Sequence, residues 1–114
     1  MGEVSEQREC LKRALQINER HYGSSHGEVG RVLLSLGNVY GTLGDAEKQI
    51  TLQTRALGIF ESLYGRDHPE VSRVLVNLGN GYAALGRHLL NSILRGESFH
   101  RGAYVGAVGN GTRR

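Results

Sequence analysis

Residues 21–44 read HYGSSHGEVGRVLLSLGNVYGTLG, and 42 positions later residues 63–86 read LYGRDHPEVSRVLVNLGNGYAALG. Sliding the chain by that interval pairs residues 15–44 with 57–86 and gives 17 identities in 30 positions. Chance would give about two or three, so the chain carries a tandem repeat. The matched pairs include Tyr22/Tyr64, His26/His68, Glu28/Glu70, Arg31/Arg73, Leu36/Leu78, Gly37/Gly79, Asn38/Asn80 and Tyr40/Tyr82. A repeat at fixed spacing implies one supersecondary unit stacked on copies of itself, each burying the apolar face of its neighbour.

The unit reads as two helices. Over 28–43, Val29, Val32, Leu33, Leu36, Val39, Tyr40 and Leu43 follow the i, i+3, i+4, i+7 spacing of an amphipathic helix. Gly44 stops it and Asp45 caps the next. The second helix, over 45–63, puts Ala46, Ile50, Leu57 and Tyr64 on one stripe, with Ala56, Phe60 and Leu63 beside it. A turn over 64–68 leads to Pro69, at a first-turn position where its missing N–H has no intrahelical partner. Glu70 then faces the positive end of a helix over 70–85 that repeats the first.

Residues 3–22 align with 45–64, so the chain opens on a second-type helix, with Val4, Leu11, Ala14, Leu15, Asn18 and Tyr22 inward. After Gly86 the register fails. Leu89, Leu90, Ile93 and Leu94 predict a short, degenerate second helix ending near Gly96 that covers the last first-type helix. The expected domain therefore spans 3–100, with units at 3–22 (partial), 28–64 and 70–96. Residues 101–114, with four glycines and little periodicity, read as a flexible Gly/Arg tail.

The formal net charge of +3 resides in that tail: residues 1–86 carry nine Lys/Arg against ten Asp/Glu, and residues 87–114 carry five against one. The repeat body thus lacks the clustered basic face of a nucleic-acid binder. No apolar run approaches the roughly 18–20 residues that span a bilayer. The start, MGEVSEQREC, has no signal-peptide core and misses the myristoylation pattern at Glu6. A lone Cys10 excludes an intrachain disulfide framework. A cytoplasmic location is expected, and the Asn110-Gly111-Thr112 sequon is expected to stay idle.

Leu33-x-x-Leu36-Gly37-x-x-Tyr40 and Leu75-x-x-Leu78-Gly79-x-x-Tyr82 resemble the first helix of a tetratricopeptide repeat, with Ala56 and Pro69 at that family's later alanine and closing proline. Leu33 and Leu75 replace the usual tryptophan, Gln49 stands for a small residue and Gln53 for an aromatic. The period exceeds the common 34 residues. The longer form, Ala-Leu-x-Ile-x-Glu…Tyr-Gly…His-Pro-Glu-Val, is similar to the repeats of kinesin light chains and nephrocystin-type proteins.

The resemblance implies an all-α fold, a short α-solenoid of antiparallel helix pairs in a right-handed superhelix, acting as a scaffold for protein–protein interaction. It also implies a concave groove lined by Arg31, Leu34, Ser35, Asn38 and Thr42, then Arg73, Val76, Asn77, Asn80 and Ala84. Asparagine amides bond both sides of an extended peptide and arginine forks onto carboxylates, so an extended, acidic peptide segment is the expected partner. The same residue types also solvate any exposed helix face.

Other chemistry is poorly supplied. His26 and His68 occupy equivalent places in neighbouring units, about 8–10 Å apart per helix layer, too far for one zinc with ligands near 2 Å. They are expected instead to close the turn and cap the following helix. Gly106-x-x-Gly109-x-Gly111 lacks the lysine of a P-loop, and Cys10 has no histidine at fixed spacing. No enzyme activity, cofactor, metal, nucleic acid or membrane is expected. The alternative to a peptide-binding module is a structural, self-associating segment or a fragment of a larger scaffold, the former a homo-oligomer in which Val4, Leu11 and Leu15 dock another copy, because about three repeats are normally needed for a stable core.

Overall fold

The computed structural model describes residues 2–96. They form four helices and no strand: α1 (Gly2–Tyr22), α2 (Gly27–Thr42), α3 (Ala46–Tyr64) and α4 (Pro69–Leu94). Consecutive helices pack on each other, α1 on α2, α2 on α3 and α3 on α4, and α2 also touches α4. Turns of three or four residues make neighbours antiparallel, so α2 and α4 are the first-type helices and α1 and α3 the second-type ones. The expected residues 97–100 of the domain and the tail over 101–114 lie outside the described residues.

Each turn is built from the repeated phrase. Gly44, at φ +88°, closes α2: its N–H bonds Gly41 O at 3.0 Å and the Asp45 N–H bonds Tyr40 O at 2.9 Å. That pair of bonds is a Schellman motif, which needs a left-handed residue where glycine has no Cβ to clash. Asp45 Oδ1 then accepts the Lys48 N–H at 3.0 Å and starts α3. At the other turn type, His26 Nδ1 accepts the Glu28 N–H at 3.0 Å and His68 Nδ1 accepts the Glu70 N–H at 3.1 Å. The histidines therefore cap α2 and α4 as expected. Each imidazole also stacks on the tyrosine four residues before it, Tyr22 on His26 at 4.2 Å and Tyr64 on His68 at 4.3 Å between centroids. Tyr-Gly-x-x-His is thus one device that ends a helix, turns the chain and starts the next.

Two expectations about helices are corrected. The short returning helix after Gly86 does not form, because α4 runs straight through Gly86 to Leu94. Gly86 is followed by Arg87 and His88 rather than by an Asp45-like cap, so nothing satisfies the N–H groups that a new helix would expose. Leu90, Ile93 and Leu94 consequently stay exposed and cover nothing.

The inward stripe of α3 is also rotated. Ala46, Gln49, Gln53, Ala56, Ile59 and Phe60 are buried, while Ile50 and Leu57 lie half-buried at the margin and Leu63 and Tyr64 are exposed. The helix is held between α2 and α4, so its buried line is centred on the residues facing both. The core itself comprises Val29, Leu33, Leu34, Ala56, Ile59, Phe60, Val71, Val74 and Leu78.

Close approach of α3 to α2 rests on glycines. A Cβ at Gly37 would stand 2.6 Å from Gln53 Cγ and one at Gly30 would stand 2.9 Å from the Phe60 ring. Gly79, the repeat partner of Gly37, has nothing within 4 Å of a Cβ. Opposite outcomes are therefore expected in thermal melts of the dilute chain. Gly37→Ala should lose about 1–3 kcal/mol through overpacking, whereas Gly79→Ala should gain about 0.5–1 kcal/mol from helix propensity. Equal effects at both sites would contradict the packing described.

Candidate protein-interaction face

The ten residues expected to line a groove fall on α2 and α4, five on each. Arg31 is exposed, with its guanidinium 3.2 Å from Glu28 Oε2. That hydrogen bond is the main reason its pKa lies above the ordinary arginine value. Arg73 repeats the arrangement with Glu70 Oε1 at 3.5 Å. Ser35 is exposed, and Thr42 Oγ1 donates to Asn38 O at 3.2 Å. Ser35, Asn38 and Thr42 line an open hollow of about 210 Å³ with Val39 and with Gln7 of α1. The hollow includes no residue of α4. On α4, Asn80 and Val76 are exposed, Asn77 and Ala84 half-buried. Asn77 Nδ2 is turned back onto Arg73 O at 3.1 Å.

Two of these expectations change. Leu34 is 8% exposed and belongs to the core, whereas its counterpart Val76 is 62% exposed. The reason is neighbourhood: α2 has helices against several of its sides, while α4 packs on α3 and only touches α2. Leu34 therefore shapes the floor from beneath and offers no side chain to a ligand. Asn38 also differs from Asn80, because its Oδ1 accepts a 2.9 Å hydrogen bond from Gln53 Nε2. Half of its amide is already committed to the interior.

Sequence reasoning missed the group that links the two helices. Gln53 is fully buried and its Nε2 also donates to Leu34 O at 3.1 Å. Its Oε1 accepts from Gln49 Nε2 at 3.3 Å, and the same Nε2 donates to Asn77 O at 3.3 Å. An amide ladder thus runs from Asn38 on α2 through Gln53 and Gln49 of α3 to the backbone of α4. Among the described residues no buried side-chain nitrogen or oxygen lacks a partner, so the ladder is satisfied rather than strained. The signal was present in the sequence: two glutamines at i, i+4 where the repeat pattern places a small residue and an aromatic, facing Gly37 and Gly41.

Among the described residues no three His, Cys, Asp or Glu side chains gather to hold a metal ion, and no helix is long and apolar enough to cross a membrane. Antiparallel hairpins stacked at a fixed period, with one helix type presenting polar side chains outward, define a helical-repeat solenoid. Within that class, residues 29–70, one full 42-residue period, match the family model described as Tetratricopeptide repeat. That segment is similar to tetratricopeptide repeats, non-catalytic repeats that generally mediate protein–protein interaction. No curated protein matches it significantly.

Proposed function

We propose that this chain is a non-enzymatic module that holds an extended, acidic peptide segment against the outward faces of α2 and α4. One observation carries the reading: Arg31 and Arg73 stand at the same register 42 residues apart, both exposed and each paired with a carboxylate three residues earlier. Such exposed pairs contribute about 0–1 kcal/mol. A partner carboxylate that takes the fork bidentately therefore displaces them with little loss. Asn80 adds an amide with both a donor and an acceptor for the backbone of the segment. Ser35 adds a hydroxyl, and Asn38 contributes its remaining N–H donors.

The Tyr-Gly…His-Pro-Glu-Val phrase and the long period support placing the chain with the repeats of kinesin light chain and nephrocystin type, and a cytoplasmic location goes with that placement. Fluorescence anisotropy with a randomised acidic peptide set tests the binding reading. The double change Arg31→Ala/Arg73→Ala should weaken acidic peptides at least about tenfold, since two charge-assisted contacts at about 1.5 kcal/mol or more are lost. It should leave the melting temperature within a few degrees of the parent, and added salt should weaken the parent's binding. Acidic peptides that bind the double variant as well as the parent would refute the proposal.

A further inference from the structure

The two units share a phrase but not an environment. Of the eight residues buried on α2, the counterparts Val71, Leu78 and Gly81 are buried on α4, while Pro69, Ser72, Leu75, Val76 and Gly79 are exposed. Leu33 is fully buried and Leu75 is 50% exposed. The cover that α2 has and α4 lacks is identifiable: Phe60 lies against Gly30, Gln53 against Gly37 and Gln49 against Gly41, all three from a second-type helix. Among the described residues no second-type helix follows α4. A hollow of about 510 Å³ bounded by His68, Pro69, Ser72 and Leu75 opens where the Phe60 position of such a helix would fall.

The helix that fits this vacancy lies at the other end of the same chain. α1 is second-type in register, and the counterparts of the six residues that α3 buries (Val4, Gln7, Leu11, Ala14, Ile17 and Asn18) leave α1 with no fully buried residue. Among the described residues no first-type helix precedes it. We infer that α1 of a second copy packs on the open face of α4, so that copies of this chain join head to tail and continue the solenoid.

The contacts within the chain define the joint. Gly37 against Gln53 becomes Gly79 against Leu11, where the glycine again leaves room for a long side chain. Gly30 against Phe60 becomes Ser72 against Asn18, a hydroxyl and an amide exchanged together for a glycine and a ring. Gly41 against Gln49 becomes Ala83 against Gln7. Both members change together in the Ser72–Asn18 pair, while the other two pairs each keep one member, Gly79 and Gln7. The interface is heterologous, since the patch on one copy differs from the patch on the next, and it propagates rather than closing on itself as a two-fold pair.

Sedimentation of the full chain from about 1 to about 500 μM provides the test, the range over which a contact of micromolar strength registers. The parent's average mass should rise with concentration. Gly79→Arg blocks the α4 face at a position with free space around it, and Leu11→Arg blocks the α1 face. Circular dichroism melts verify that both variants fold. Each variant alone should remain monomeric, with association weakened at least about tenfold. Mixed in equal amounts they should form a dimer and nothing larger, because one intact α4 face meets one intact α1 face.

A parent that stays monomeric throughout, as intrachain cover by residues 97–114 would produce, overturns the inference. So does a Leu11→Arg chain that associates as the parent does, which would indicate α4-to-α4 pairing, and so does a mixture that fails to dimerise. The Arg31→Ala/Arg73→Ala chain should associate like the parent, which separates this joint from the peptide-binding reading.

Discussion

Replacing Phe60 with alanine is expected to lower the melting temperature by roughly 15–30 °C, the largest loss from any single truncation in the chain. The ring is fully buried, lies against the backbone of Gly30 and stacks on Tyr64 with centroids 6.0 Å apart. Because Gly30 has no side chain and α2 is held at both ends by caps, neither helix can close the space left behind. A Phe→Ala change in such a site removes about 3–5 kcal/mol through lost transfer energy and the cavity. A domain of this size has only about 5–15 kcal/mol in total. Melts followed by helical circular dichroism check it, with Leu94→Ala at an exposed position as the control that should change little. A Phe60→Ala chain that melts within about 5 °C of the parent would place the core elsewhere.

Gln53→Glu should have a comparable effect for a different reason, and the effect should depend on pH. The two side chains have nearly the same volume, so no cavity forms. What changes is that a donor aimed at Leu34 O and Asn38 Oδ1 becomes a charged acceptor facing two acceptors, fully buried. An uncompensated buried charge of this kind destabilises by about 3–5 kcal/mol. Burial and the facing oxygens raise the new carboxyl's pKa in the folded state above its unfolded value of about 4.3. A raised carboxyl binds its proton more tightly when folded. The penalty is therefore full above the folded pKa and fades as pH falls toward the unfolded value.

Urea titrations at neutral pH and near pH 4.5 should show the gap between parent and variant narrowing at the lower pH. Gln53→Met, which keeps the shape and loses the hydrogen bonds, should lose only about 1 kcal/mol and show no such narrowing. A gap that stays constant with pH would mean that Gln53 does not sit where the ladder requires.

These two side chains also divide what could be read from the order of residues from what could not. The 42-residue echo determined the helical hairpins, their turns and the role of the histidine caps. All of these arise from local geometry: a glycine that takes positive φ, a side chain that reaches an N–H two or three residues ahead, an apolar spacing of 3.6. The sequence also determined that Arg31 and Arg73 share a register, and with it the candidate binding face.

Tertiary structure alone decided which face of α3 points inward, because the buried line follows the two helices on either side rather than the most apolar stripe. It made two glutamines core residues by supplying them with Leu34 O, Asn38 Oδ1 and Asn77 O. It separated Leu34 from Val76 and Leu33 from Leu75, which the repeat treats as equivalent. Burial is a property of neighbours: an identical phrase becomes core where a helix lies against it and open surface where none does.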